Sequence, residues 1–156
     1  MSEWQHASWI SQLGKWAWIV ILVIGIVEIL IGIVGIAFWF YNPFVVASYV
    51  WYVIGSVILI LIDFIIIRPK FSNKCAAMDW DALYEWYLPL GSLKLPWMLI
   101  WGVIFEIIGL WGLGGVFILI PAIFLLFFGP KQYNWTKEEK KPKPKPEPKT
   151  EPESEA

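Results

Sequence analysis

Two long runs of apolar residues dominate the first half of the chain, at residues 16–40 and 45–67. As α-helices they would measure roughly 37 Å and roughly 34 Å, enough to cross a hydrocarbon core of about 30 Å. The Asn-Pro pair at 42–43 fits a turn between them, and the Arg-Pro-Lys sequence at 68–70 is expected to end the second helix. The pattern therefore predicts two transmembrane helices.

The last apolar block, residues 97–128, is harder to divide. One helix of that length would measure about 48 Å, which is too long for a single span. Glycines at 112–115 interrupt the block, so we predict two further spans at about 93–112 and 116–133. The result is a bundle of four transmembrane helices. The alternative is three, with a long kinked third helix.

The distribution of basic residues favours four spans. With an even number of spans, the basic residues before and after the apolar runs lie on one side, while the turn at 41–44 on the other side has no charge. The positive-inside rule makes the basic side cytoplasmic. We therefore predict a multi-pass protein of the cell membrane, with its N-terminus, the 68–95 loop and the C-terminal tail in the cytoplasm. The basic residues are Lys15, Arg68, Lys70, Lys74, Lys94, Lys131, Lys137, Lys140 and Lys141.

Polar segments flank the predicted bundle of residues 16–135. Residues 1–15 form a polar arm with aromatic side chains suited to a membrane interface. Within the 68–95 loop, four side chains share one helical face, which predicts a short interfacial helix. They are Trp80, Leu83, Tyr84 and Tyr87. Residues 136–156 are rich in Lys, Pro and Glu and predict a disordered tail. The expected fold class is an all-α membrane protein.

Composition agrees with a bilayer as the main partner. Hydrophobic residues make up 58% of the chain and charged residues 16%, against roughly a quarter charged in soluble domains. The net charge is -1 and no basic stripe is present, which argues against nucleic-acid binding. A single cysteine, Cys75, excludes an internal disulfide.

Small residues gather on one face of each of the first three predicted helices. On a wheel of 100° per residue, the small residues of each helix fall on one side. Such a packing seam lets helix backbones approach closely, which membrane helices rely on. We expect the seams to face one another. Their members are Gly25, Gly32, Gly35, Ser48, Gly55, Gly102, Gly109 and Gly112.

Three acidic residues interrupt the apolar runs: Glu28, Asp63 and Glu106. The helical wheels place Glu28 and Glu106 on the packing seams, inside the bundle. A carboxylate at mid-membrane costs at least about 2.5–3.5 kcal/mol, so such residues are candidates for function. One interpretation is a proton or cation site at Glu28 and Glu106, extended to Asp63. The other is a pair of protonated glutamates that hold the helices together by hydrogen bonds.

The sequence contains no recognisable catalytic, metal-binding or cofactor motif. The only histidine, His6, stands alone, which gives neither a metal cluster nor a catalytic triad. We therefore expect a non-enzymatic accessory or scaffold subunit that acts by helix packing, either with other membrane-protein subunits or as a homo-oligomer. The alternative hypothesis is a small proton or cation channel or transporter subunit that uses Glu28 and Glu106.

Overall fold

The computed structural model describes residues 4–109 and 113–136. The chain is mostly helical, and two helices are long and apolar enough to cross a membrane. The tail predicted to be disordered lies outside the described residues from position 137 onward. In chain order the elements are α1 (Ala7–Phe38), α2 (Pro43–Ile62), a π-helical segment (Asp63–Ser72), α3 (Asn73–Ala76), α4 (Trp80–Glu85), β1 (Tyr87–Leu90), β2 (Leu93–Pro96), α5 (Trp97–Ile108) and α6 (Leu113–Phe128).

The first two predicted spans form a helix pair joined by a short turn. α1 begins at Ala7, well before the expected residue 16, because its first turns bury Ile10 and Gly14 in the core. At the turn, the Asn42 side chain accepts a hydrogen bond from the N–H of Val45 at 3.4 Å. This caps α2, whose first residue is a proline, where the missing N–H costs nothing.

The predicted end of the second helix at residues 68–70 is wrong. The helix continues beyond Ile62 as the π-helical segment, with Pro69 inside it, and then as α3. A π-helical turn bonds residue i to residue i+5 and is wider than an α-helical turn. The wider turn accommodates Pro69, which has no N–H to donate and whose ring would clash inside a regular α-helix. A helical rod of 34 residues therefore runs from Pro43 to Ala76.

The last two helices are shorter than the predicted spans. α5 has 12 residues and α6 has 16, so they measure about 18 Å and about 24 Å. They run antiparallel: Gly115 meets the backbone of Gly102 and Glu106, while Gly102 meets Leu119. This arrangement differs from a single kinked third helix. The structure confirms two helices of spanning length and does not confirm four.

The chain is mostly helical as predicted, but it also contains a small sheet that an all-α fold does not include. β1 and β2 pair antiparallel, with Tyr87 opposite Pro96 and Leu90 opposite Leu93. The sequence between them turns at Gly91, whose φ of 61° is a left-handed conformation that glycine adopts without strain. Strand β2 occupies the start of the predicted third span, and β1 lies in the predicted loop. The predicted loop helix is present as α4, capped by Asp79.

The α1–α2 pair is covered along only part of its length. α6 runs antiparallel along the first part of α1: the Phe124 ring lies 4.8 Å from the Trp9 ring, and Gly114 faces Ile21. The far end of the pair exposes large apolar side chains. These include Phe38, Phe40, Phe44 and Trp51. The fully buried core lies at the covered end and includes Ile67, Phe71, Leu83, Met98, Ile118 and Leu125.

Candidate functional site

The glycines of the α1 seam lie at its contact with α2. A Cβ added to any of them would collide with a side chain of α2, because the closest approach would be 2.7 Å or less. The pairs are Gly25 with Ile60, Gly32 with Val53 and Gly35 with Tyr49. Only glycine leaves room for the two helices at this separation. The seam therefore sets the close approach that brings polar side chains of α1 and α2 together.

The seam of α2 begins later than the sequence suggested. Ser48 is exposed, and its hydroxyl donates to the carbonyl of Phe44 at 3.3 Å along its own helix. Gly55 is buried, as is the adjacent Ser56. The buried polar side chain that α2 turns towards α1, Ser56, therefore lies about two turns after Ser48.

On α5, the seam glycines face α6 and α1. Gly102 is buried against Leu119 of α6, and Gly109 ends the helix close to the carboxylate of Glu28. Gly112 lies outside the described residues. The α5–α6 hairpin thus brings its tip to the middle of α1.

Glu28 is the central polar group of the bundle. Its side chain is only 2% exposed, and the Ser56 hydroxyl donates a hydrogen bond of 2.6 Å to its Oε2 atom. Ser56 is equally buried. A buried carboxyl group requires such a donor, since an unsatisfied polar atom in an apolar interior is costly. This contact joins α1 to α2 at the level of the hairpin tip.

A narrow cavity adjoins Glu28 where α1, α2 and the hairpin tip converge. The side chains that line the cavity are apolar except for the Glu28 carboxyl group. The cavity is large enough for about one water molecule. The lining residues are Ile21, Ile24, Gly25, Glu28, Leu59, Phe105, Gly109 and Gly114. Gly114, in the first turn of α6, is one of these lining residues.

Asp63 lies two helical turns below Ser56, at the start of the π-helical segment. It is fully buried, and neither carboxylate oxygen has a hydrogen-bond partner within residues 4–109 and 113–136. Ser72, at the end of the segment, is also buried with an unpartnered hydroxyl in the same described region. Sequence reasoning named Asp63 but missed Ser72, because the expected helix end at 68–70 placed Ser72 in a loop.

The nearest basic group along the segment does not neutralise Asp63 by direct contact. The Arg68 guanidinium stacks over the Trp18 ring at 4.6 Å and lies 5.8 Å from the Phe64 ring. Such cation–π contacts hold an arginine at an aromatic face. In the described part of the chain, no ion pair joins Arg68 to Asp63.

Glu106 is exposed, in contrast to Glu28. It lies one residue after the buried Phe105, its Oε2 atom is close to Gly115 of α6, and Val103 and Ile107 are exposed apolar neighbours. The helical wheels suggested one buried site for Glu28 and Glu106. The structure does not bring these two side chains into one buried site. It brings Glu28 together with Ser56 instead.

Ion pairs and hydrogen bonds connect α3, α4 and the segment that follows α6. Lys74 pairs with Asp79 at 2.8 Å, and Lys131 pairs with Asp81 at 2.6 Å. The hydrogen bonds from Lys74 and from the N–H of Ala82 hold the pKa of Asp79 below its usual value. These contacts fix α4 against α3 and against the segment that follows α6.

The segment after α6 returns to the sheet. The Tyr133 hydroxyl donates to the carbonyl of Lys94 at 3.2 Å, and burial raises the pKa of Tyr133 to about 12. The N–H of Lys94 donates to the carbonyl of Trp135 at 2.7 Å, and Thr136 pairs with Leu93. These contacts fix the end of the described chain beside β2.

No group of three or more His, Cys, Asp or Glu side chains suited to a metal ion occurs among the described residues. Comparisons of the chain with protein-family models, with curated proteins and with solved structures found no match. The candidate site therefore rests on its own residues. These are the buried row of Glu28, Ser56 and Asp63, and the exposed Glu106.

Proposed function

We propose that the protein is a membrane-embedded accessory subunit that assembles with a different membrane protein through the exposed face of α5. The observation that carries this proposal is Glu106, an exposed carboxyl group on an otherwise apolar helix. We define the Glu106 face as Val103, Glu106 and Ile107, all three exposed. The function is one of binding and needs no catalytic group.

The bilayer is the first part of the proposal. The two helical rods have 32 and 34 residues, and their most apolar 18-residue stretches have mean hydropathies of 3.1 and 2.6. Most of the residues in these stretches are not buried within the molecule. Leu30, Val34 and Phe44 are among the exposed apolar side chains. Such a surface suits lipid and is costly in water. In a bilayer, the short α5–α6 hairpin would enter and leave on the same side.

The second part of the proposal is the energetic cost of exposing the Glu106 carboxyl group to lipid. Its helix ends two residues later, near the level of Glu28 in the middle of α1. At that depth a lipid-exposed carboxyl group costs at least about 2.5–3.5 kcal/mol, and intramembrane acids normally face protein. A partner helix that covers Glu106 with a hydrogen-bond donor or a cation recovers this cost. Among the described residues, Gly115 of α6 lies close to Glu106 Oε2, and the side chain is still exposed.

A different protein fits this face better than a second copy. The apolar regions 16–67 and 97–128 contain no Lys, Arg or His. A second copy therefore has no cation to place beside Glu106 at the same depth. A partner helix with one intramembrane Lys, Arg or His would pair with the carboxylate.

Site-specific photo-crosslinking in native membranes tests the proposal. A photoreactive residue at Ile107, which is 77% exposed, should give an adduct with a second membrane protein. The same probe at Leu61, 55% exposed on α2, is the matched control and should give less adduct. Glu106→Leu should abolish the Ile107 adduct, because a leucine at this position is stable in lipid. An adduct of two copies of this chain, or equal labelling at both positions, would overturn the proposal.

A further inference from the structure

We propose that Asp63 is a buried proton-binding site, which exchanges its proton with water at the Arg68 end of the α1–α2 pair. The site goes beyond the association proposed above and uses none of the residues of the Glu106 face. It rests on the geometry of the π-helical segment and on the absence of hydrogen-bond donors to Asp63 in the described part of the chain.

The first step is the energetic position of the carboxyl group. Asp63 has no exposed surface, and both of its oxygens lack hydrogen-bond partners among the described residues. A bare carboxylate in such surroundings is among the costliest arrangements in a protein. Binding one proton removes the charge and leaves a neutral acid of modest cost. The packed state therefore favours Asp63 with its proton bound.

The second step is that no cation among the described residues forms an ion pair with Asp63. The elements packed against the segment are α1, α2 and α3. Lys15 of α1 lies over the Trp16 ring at 5.7 Å, and Lys74 of α3 pairs with Asp79. α1 also contributes Glu28, α2 contributes Tyr49 and Tyr52, α3 contributes Cys75, and the segment itself holds Arg68 and the exposed Lys70. None of the ion pairs formed by described residues involves Asp63.

The third step is the choice of ligand. A metal cation needs several oxygen ligands, typically six or more for calcium. The described residues contain no cluster of three acidic, histidine or cysteine side chains. A proton needs only the one carboxyl group. The chemistry of the site therefore fits a proton carried by water and does not fit a dehydrated metal ion.

The fourth step is access. Arg68 is exposed, and its guanidinium is held over Trp18 by a cation–π contact, which is reversible. π-helical turns occur frequently at functional sites, and this one separates Asp63 from Arg68 by a single i to i+5 step. When Arg68 leaves Trp18, it can approach Asp63, and the proton leaves to water as the carboxylate forms. Re-protonation reverses the exchange.

Infrared difference spectroscopy of the protein in lipid nanodiscs tests the site. The carbonyl stretch of a protonated carboxylic acid should be present at neutral pH and should shift on transfer to D₂O, because the proton exchanges. Asp63→Asn should lose this band, and Asp81→Asn, a change at an exposed aspartate, should retain it. A spectrum unchanged by Asp63→Asn would overturn the proposal.

The response of this band to solvent and cations separates proton exchange from other roles. A band that does not shift in D₂O would show a proton locked in the fold, and would overturn exchange. A band displaced by Na⁺, K⁺ or Ca²⁺ at constant pH would show a cation site instead. Asp63→Glu keeps a carboxyl group and should keep an exchanging band. It therefore tests the site even where Asp63→Asn destabilises the protein. Crosslinking at Ile107 should be unaffected by Asp63→Glu, so failure here and failure of the assembly proposal are distinguishable.

Discussion

The hydroxyl of Ser56 lies 2.6 Å from Oε2 of Glu28 and is the polar contact that joins α1 to α2 inside the bundle. Twenty-eight residues separate the two in sequence, and the glycine seam brings their helices close enough for the bond. Most of the surrounding contacts are apolar and do not fix the register of one helix against the other. A single directional bond at this point can do so.

Ser56→Ala should destabilise the protein by about 1–2 kcal/mol, because a donor to a buried carboxyl group is lost. Glu28→Gln should cost less, because the amide oxygen still accepts from Ser56. Thermal unfolding in mild detergent measures both. Ser48→Ala is the control, since Ser48 is exposed and bonds only within its own helix turn. Equal stability of Ser56→Ala and Ser48→Ala would contradict the assigned role of the bond.

Gly115→Ala should destabilise the α5–α6 hairpin by about 1–3 kcal/mol, as overpacking does. A Cβ at Gly115 would overlap the carbonyl oxygen of Gly102 and stand 2.7 Å from the backbone nitrogen of Glu106. Backbone atoms cannot rotate away as a side chain can. Limited proteolysis and thermal unfolding measure the loss.

The neighbouring glycine supplies the control for this change. A Cβ at Gly114 would meet only Ile21 Cγ1 at 3.5 Å, an ordinary van der Waals contact. Gly114→Ala should therefore leave stability unchanged or slightly raised, since alanine favours helix. A similar loss for both substitutions would argue against the antiparallel packing at Gly102.

Tyr133 should make stability fall at high pH. Burial raises its pKa to about 12 from 10.0, so the folded state holds the phenol proton more tightly than the unfolded state. This contribution is complete below pH 10 and is lost as the pH rises from 10 to 12. Unfolding followed against pH should show a smaller decline over this window in Tyr133→Phe. An identical decline would show that the raised pKa does not affect stability.

Met78→Gly should stabilise the protein by about 1 kcal/mol. Met78 follows α3 with a φ of 53°, a left-handed conformation that costs a side-chain-bearing residue about 1–2 kcal/mol. Its own side chain is 48% exposed and contributes little packing. Glycine is the usual residue at this position of a helix end. Met78→Ala keeps the strain and should show no gain in thermal unfolding.

Hydropathy was sufficient to predict α1 and α2, because unbroken apolar runs have few alternatives to a helix. The pairing of Trp80, Leu83 and Tyr84 on one face likewise predicted α4. The Pro69 prediction failed, because proline stops an α-helix but not a π-helical turn, which sequence patterns do not distinguish. The strands β1 and β2 were missed because apolar residues before a longer apolar run resemble the start of a helix.

The helical wheels placed Glu28 and Glu106 alike, but in the structure Glu28 is buried and Glu106 is exposed. Both acids share a helix face with glycines, but a glycine face shows only where close contact is sterically allowed. On α1 that contact is α2, and Glu28 is buried with Ser56. On α5 the contact is with α6 through Gly102 and Gly115, and the Glu106 side chain emerges beside it. The helix that packs against such a glycine face is determined by the tertiary fold. It cannot be predicted from the sequence of one helix alone.

Both ends of the described chain rest on the same short stretch of sequence. The Trp4 ring lies 5.3 Å from the Trp80 ring, and Thr136 pairs with Leu93. Residues 4 and 136, the outer ends of the described chain, therefore lie at one pole of the molecule.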